Sequence, residues 1–91
     1  MNLRALTQAA GASGFEYEIR SLLREACQAL ADEVRVDSMG NLIAIKRGVE
    51  HPERTVMACA HMDEVGFIIQ GADENGMLRF MPVGGMDLRI L

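Results

Sequence analysis

Aromatic residues, which often fill the core of a small protein, and proline are scarce in this chain of 91 residues. It contains no tryptophan, one tyrosine, three phenylalanines and two prolines. Because 49% of its residues are nonetheless hydrophobic, the interior has to be filled by aliphatic side chains and by seven methionines. Such a composition is typical of an ordered globular protein and excludes an intrinsically disordered one. The length allows one small domain at most.

Basic clusters and long apolar runs are also lacking. Nine basic residues against thirteen acidic ones give a formal charge of −4, which excludes a nucleic-acid footprint. No apolar run approaches the roughly 18 residues that a membrane span needs, and the N-terminal residues have no signal-peptide core. We therefore expect a cytoplasmic protein that binds neither nucleic acid nor a membrane.

Cysteine occurs only as Cys27 and Cys59. Their separation matches no zinc-knuckle spacing. Both lie in apolar segments, so we interpret them as buried thiols that behave as small hydrophobic residues.

Helical patterns occupy the first third of the chain. Residues 3–10 predict a short helix that Gly11 ends. Ser13 and Glu16 have the spacing of a capping box, which predicts a second helix with Ser13 as its N-cap and its end near Ala31. Its apolar stripe recurs every three or four residues and consists of Phe15, Ile19, Leu22, Leu23, Ala26 and Leu30.

The hydrophobic period changes to that of strands after Asp32. Residues 34–37 and 42–46 flank a Ser-Met-Gly-Asn turn and predict a β-hairpin. The uncharged run 55–60 predicts a short buried strand. Residues 67–70 and 77–81 predict a further strand pair around the Asn75-Gly76 turn. Pro82 and Gly84-Gly85 are expected to end the second of these strands. The alternating residues 86–91 indicate the start of another structured segment.

His61 and Asp63, directly after the run 55–60, are the most informative residues. Ligands of open α/β sheets bind beyond the carboxyl ends of strands. Residues two apart in a strand project to the same side, so Asp63 can accept a hydrogen bond from one ring nitrogen of His61. Such a bond orients an imidazole whose other nitrogen holds a metal ion. Catalytic zinc needs three protein ligands, so His61 is at most one of them.

The spacing alone leaves other interpretations open. His-x-Asp arises often by chance, and a hydrogen-bonded core histidine or a surface pair accounts for most occurrences. His51, in a polar loop, is interpreted as solvent-exposed, and Glu64 as a surface carboxylate. Residues 11–14 lack the preceding strand and the lysine of a phosphate-binding loop, so they predict a plain helix–helix turn.

Four motifs in order are more specific than any one of them. They are Ala10–Glu16, Asp37–Ala44, Ala60–Phe67 and Phe80–Asp87. Together they resemble the N-terminal part of the glutamyl or tetrahedral aminopeptidase family, dinuclear metallopeptidases also labelled deblocking aminopeptidase or endoglucanase. The resemblance covers essentially the whole chain.

The resemblance implies a fold, a site and partners. It implies that His61 ligates one of two zinc or cobalt ions and that Asp63 supports this ligand. The implied fold is α/β: residues 1–66 contribute two helices, a β-hairpin and the central strand of a peptidase-type sheet. Residues 67–91 would begin an inserted β-rich dimerisation domain. A peptide is the implied substrate, and homo-oligomers are the implied assembly.

The family's bridging aspartate, its general-base glutamate and its other metal ligands lie downstream of the residues present. We therefore expect an N-terminal fragment of a metal-dependent aminopeptidase that is inactive alone. The alternative is a truncated, non-catalytic module that binds a partner through exposed strand edges. A glycosidase needs two facing carboxylates, and the adjacent Asp63 and Glu64 should diverge instead.

Overall fold

Two helices and four strands make up the computed structural model, which describes residues 2–90. In chain order they are α1 (Leu3–Gln8), α2 (Tyr17–Gln28), β1 (Glu33–Val36), β2 (Leu42–Ile45), β3 (Gly66–Ala72) and β4 (Leu78–Val83), followed by a 3-10 helix over Leu88–Ile90. The strands form two antiparallel pairs, β1 with β2 and β3 with β4. The predicted α/β class is confirmed.

Helix α2 begins later than the capping-box prediction places it. Its first residue is Tyr17, with Glu16 at the N-cap. Ser13 lies three residues before this cap, and its hydroxyl donates to the Asp63 carboxylate. The Glu16 carboxylate instead accepts a hydrogen bond from the Gly14 N–H at 2.6 Å. The helix also ends at Gln28, short of the predicted Ala31.

The first predicted hairpin is confirmed as β1–β2, with Val34 opposite Ala44. Its turn is held by Asp37, whose carboxylate accepts the N–H groups of Met39 and Asn41 and the Asn41 side-chain amide. Helix α2 packs against both strands. Arg20 of that helix also donates to the Gly40 carbonyl at 3.1 Å, so the turn is tied to the helix.

The second predicted hairpin is confirmed as β3–β4. Asp73 accepts the N–H groups of Asn75 and Met77, and Gly76 has the positive φ of +80° that its turn requires. Pro82 lies inside β4, opposite Phe67, and the strand ends one residue later at Val83, directly before the predicted Gly84-Gly85. A strand with only one paired side tolerates proline because one side of its backbone needs no donor.

The predicted strand over residues 55–60 is wrong. These residues form neither helix nor strand, and all of them are exposed. A strand exists only where a neighbour completes its hydrogen-bond ladder, and within residues 2–90 neither strand pair extends to this segment. Consequently Cys59 is exposed. Cys27, on α2, is half-buried, so the prediction of two buried thiols is wrong.

Burial in this structure is slight. Among the residues whose side chains the structure describes, Ala9 is the one buried hydrophobic residue, with 5% of its surface exposed. The α2 stripe is half-buried over Ile19–Ala26, whereas Phe15 and Leu30 at its ends are exposed. Among residues 2–90, no helix combines the length and apolar character needed to cross a membrane.

Candidate metal-ligand site

The candidate site forms where residues 61–64 lie beside the loop 11–14. The Glu64 N–H donates to the Gly11 carbonyl at 2.8 Å. Ala12 and Glu64 form an isolated parallel β-bridge. This contact joins parts of the chain that are far apart in sequence, and it holds the backbone directly after Asp63.

Small residues allow this close approach. Gly11 is buried, and a Cβ there would lie 3.3 Å from Ile19 Cγ2 and 3.4 Å from the Met62 carbonyl oxygen. At Gly66 a Cβ would lie 3.0 Å from the Ala12 Cβ. These three distances leave little room for a side chain, so glycine at both positions lets the loop 11–14 rest against residues 62–66.

His61 and Asp63 are in contact. The His61 Nδ1 lies 3.1 Å from Asp63 Oδ1 and 2.9 Å from the Asp63 carbonyl oxygen. Since both partners are acceptors when Asp63 is ionised, Nδ1 carries the proton in this arrangement. Nε2 is then the nitrogen available to a ligand. The imidazole is 86% exposed, so Nε2 is accessible.

Ser13 is a third member of the cluster that sequence reasoning missed. Its Oγ donates to Asp63 Oδ2 at 2.5 Å, in a part-buried position. The two carboxylate oxygens of Asp63 therefore bind different partners, the serine on one side and the histidine on the other. No spacing rule connects residues 50 positions apart, so only the fold could show this contact.

Hydrogen bonds keep Asp63 ionised. The Ser13 hydroxyl, and after it the His61 ring, hold the pKa of the Asp63 carboxyl below its usual value. A donor to a carboxylate favours its charged form, which explains this direction. The ionised carboxylate of Asp63 can accept a hydrogen bond from a protonated Nδ1.

Asp63 and Glu64 line different clefts. Asp63 and His61 border a small cleft of about 170 Å³ beside the 39–41 turn. Glu64 borders a larger one of about 500 Å³ between α1, α2 and β2, which His61 also reaches. Asp63 and Glu64 thus do not border one shared cleft, as the facing carboxylates of a glycosidase do.

The described residues can provide one ligand, His61, to a metal ion. An accessible Nε2 whose ring is held through Nδ1 by a carboxylate is the usual environment of a metal-binding histidine. Within residues 2–90, no three His, Cys, Asp or Glu side chains gather as a metal-binding group. His51 lies in an exposed loop beside Glu53, as predicted, away from this cluster. The donor set therefore fits a contributor to a metal site and not a complete site.

The family follows from comparison with known proteins. The sequence profile described as M42 glutamyl aminopeptidase matches residues 40–91. The chain belongs to this family. The M42 match includes His61, Asp63 and the whole β3–β4 hairpin, and so confirms the resemblance that the four motifs indicate.

Two relatives show what fraction of a longer aminopeptidase sequence this chain covers. It is 38% identical over 85 residues to the lysyl aminopeptidase of Pyrococcus furiosus, covering 92% of this chain and 24% of that one. It is 32% identical over 83 residues to the glutamyl aminopeptidase of Lactococcus lactis, covering 91% and 23%. The chain thus spans about a quarter of the length of these relatives.

Solved structures agree with the fold. A Thermotoga maritima protein described as an endoglucanase has a TM-score of 0.85 at 40% identity, covering 100% of this chain and 29% of that one. The TET aminopeptidase of a marine-sediment Thaumarchaeota archaeon has a TM-score of 0.86 at 39% identity, covering 98% and 25%. At these identities the chain is similar to both in sequence as well as in fold.

Proposed function

We propose that this chain is the N-terminal part of a metal-dependent aminopeptidase that hydrolyses N-terminal residues from peptides. The observation that carries the proposal is the His61–Asp63 pair, which lies within the M42 match and has the hydrogen-bond geometry of an oriented ligand. Residues 1–66 would belong to the catalytic domain and residues 67–91 to the start of an inserted β-rich dimerisation domain. The complete protein would then be a homo-oligomer.

In this proposal each residue has a defined task. His61 presents Nε2 to one of two divalent ions, zinc or cobalt. Asp63 accepts a hydrogen bond from the protonated Nδ1, which keeps the ring in one tautomer and raises the basicity of Nε2 as a ligand. When bound, the two ions supply the activation of a water molecule for attack on the peptide bond. The remaining ligands and the general base would come from residues beyond this chain.

Activity of the full-length gene product tests the proposal. We expect it to release N-terminal residues from unblocked peptides, to lose this activity on chelation and to regain it with zinc or cobalt. His61→Gln should lower the activity at least about 100-fold, because losing a ligand is more severe than losing its hydrogen-bond partner, which costs about 10- to 100-fold. The matched control is His51→Gln, which removes the chain's other imidazole and should leave activity unchanged.

The isolated 91-residue polypeptide should be inactive, since it provides one ligand of the set. Metal-dependent release of N-terminal residues by that pure polypeptide, or an unaffected His61→Gln variant of the full-length gene product, would contradict the proposal.

A non-catalytic binding module is the second candidate. It is favoured by the two strand pairs, which within residues 2–90 leave all four strands with an unpaired edge. The intact mass of the protein in its source cells separates the two candidates. A mass several times 10 kDa favours the aminopeptidase, and a mass near 10 kDa favours the binding module.

A further inference from the structure

Ser13 has no role in the capping of α2 and none in the tasks assigned above. Its hydroxyl nevertheless makes a side-chain contact with the candidate site, through Asp63 Oδ2. A serine in a surface turn ordinarily binds nearby backbone or water. Here the hydroxyl reaches across 50 positions of sequence to a carboxylate.

The contact constrains Asp63 in a way that His61 cannot. The carboxylate group can rotate about its terminal bond, a soft torsion with a broad range. With Oδ2 held by Ser13 and Oδ1 within 3.1 Å of His61 Nδ1, that rotation is fixed at both ends. The carboxylate then orients the ring together with the Asp63 carbonyl oxygen, which lies 2.9 Å from Nδ1.

The backbone around Ser13 is itself anchored. Its neighbours Gly11 and Ala12 are held by the Glu64 N–H bond and the parallel bridge described above. The Phe15 N–H closes the turn by donating to the Ala12 carbonyl at 2.7 Å. Ser13 is therefore presented to Asp63 from a fixed support and not from a loose loop.

We propose that Ser13 is a positioning residue, which orients Asp63 and through it holds the His61 ring as the Nδ1-protonated tautomer with Nε2 directed outward. The biological role of this orientation rests on the proposed function, because a fixed Nε2 matters for holding a metal ion. The tautomer itself is a property of the metal-free protein. It can therefore be measured independently of activity.

The test is ¹⁵N NMR of the His61 ring in the metal-free, full-length gene product, with the signals assigned from a His61→Gln variant. Wild-type protein should show a protonated Nδ1 and an unprotonated Nε2. Ser13→Ala should shift the ring toward a mixture of tautomers. Ser13→Thr keeps the hydroxyl and should restore the wild-type signals. Ser21→Ala, which removes a hydroxyl that donates to the Tyr17 carbonyl, is the matched control and should change nothing.

Zinc affinity gives a second measurement on the same variants. Losing one hydrogen bond to the carboxylate should weaken binding about three- to tenfold in Ser13→Ala, with recovery in Ser13→Thr. Unchanged tautomer signals in Ser13→Ala, or a shift that Ser13→Thr does not reverse, would overturn the positioning role. A shifted tautomer in a protein without peptidase activity would uphold that role and refute the proposed function.

Discussion

Several aspartate carboxylates in this structure accept more than one donor, and Asp63 and Asp37 are two of them. Asp63 binds Ser13 and His61, and Asp37 binds the backbone and side chain of Asn41 and the Met39 N–H. The two carboxylates differ in the sequence separation of their partners. Asp37 closes a turn within a few residues, which sequence rules describe well. Asp63 connects two distant segments, which they do not describe.

Acid should weaken the β1–β2 turn. The Asn41 side-chain amide, and then the Asn41 and Met39 N–H groups, hold the pKa of Asp37 below its usual value. A carboxyl whose pKa is lower in the folded state stabilises the folded protein at pH values above its unfolded pKa of about 4. This stabilisation is lost as the pH falls through the pKa of the folded state. Asp37→Asn should therefore be less stable than wild type at neutral pH, with the difference shrinking in acid.

Urea unfolding of the wild-type protein and of Asp37→Asn at several pH values measures the difference in stability. A stability difference that stays constant from neutral pH to about pH 2 would show that the ionised carboxylate does not stabilise the turn.

Elements in this chain are joined by few contacts, and the contact between the loop 11–14 and residues 62–66 is the one that builds the candidate site. It depends on backbone bonds and on the lack of side chains at Gly11 and Gly66. Helix α2 meets the β1–β2 hairpin separately, with Arg20 bound to the Gly40 carbonyl. The site is thus supported by its loop more than by a packed core.

Gly66→Ala should loosen the loop contact. The new Cβ would lie 3.0 Å from the Ala12 Cβ, so the loop has to move by a few tenths of an ångström. We expect faster hydrogen exchange of the Glu64 N–H, since its bond to Gly11 would lengthen. Gly71→Ala is the matched control because a Cβ there meets nothing within 4 Å. Equal exchange rates in the two variants would show that the close approach at Gly66 is unimportant.

The molecule as a whole is extended. Its radius of gyration is 17.9 Å, whereas a compact chain of this length has about 12 Å. Both faces of the β3–β4 hairpin carry large apolar side chains. Phe67, Ile69 and Phe80 share one face, where the two phenylalanine rings meet edge to face at 4.7 Å. Ile68 and Met81 share the other.

We expect the isolated 91-residue polypeptide to self-associate, because apolar faces of this kind are covered in stable proteins. Ile68 is 45% exposed, and Ile68→Lys should shift the sedimentation profile toward monomer. Met39→Lys is the matched control: Met39 is 85% exposed in the β1–β2 turn, and its replacement should leave association unchanged. A wild-type polypeptide that is monomeric at every concentration would contradict this expectation.

Local chemistry in the sequence determined both hairpins, the approximate helices and the family. The turn at Asp37–Asn41 and the turn at Asp73–Met77 are closed by bonds within four residues, so their patterns predict them directly. The His61–Asp63 spacing likewise placed two bonding partners close together, although its role as a metal-ligand pair stays a prediction.

Only the tertiary structure decided what depends on distant partners. Ser13 has the sequence pattern of a helix cap, yet its hydroxyl binds Asp63 and the helix begins at Tyr17. Residues 55–60 have the pattern of a strand, yet they form none, because a strand needs a neighbour and not only a propensity. Local bonds can be predicted from spacing, whereas a bond between distant residues depends on how the chain folds to bring them together.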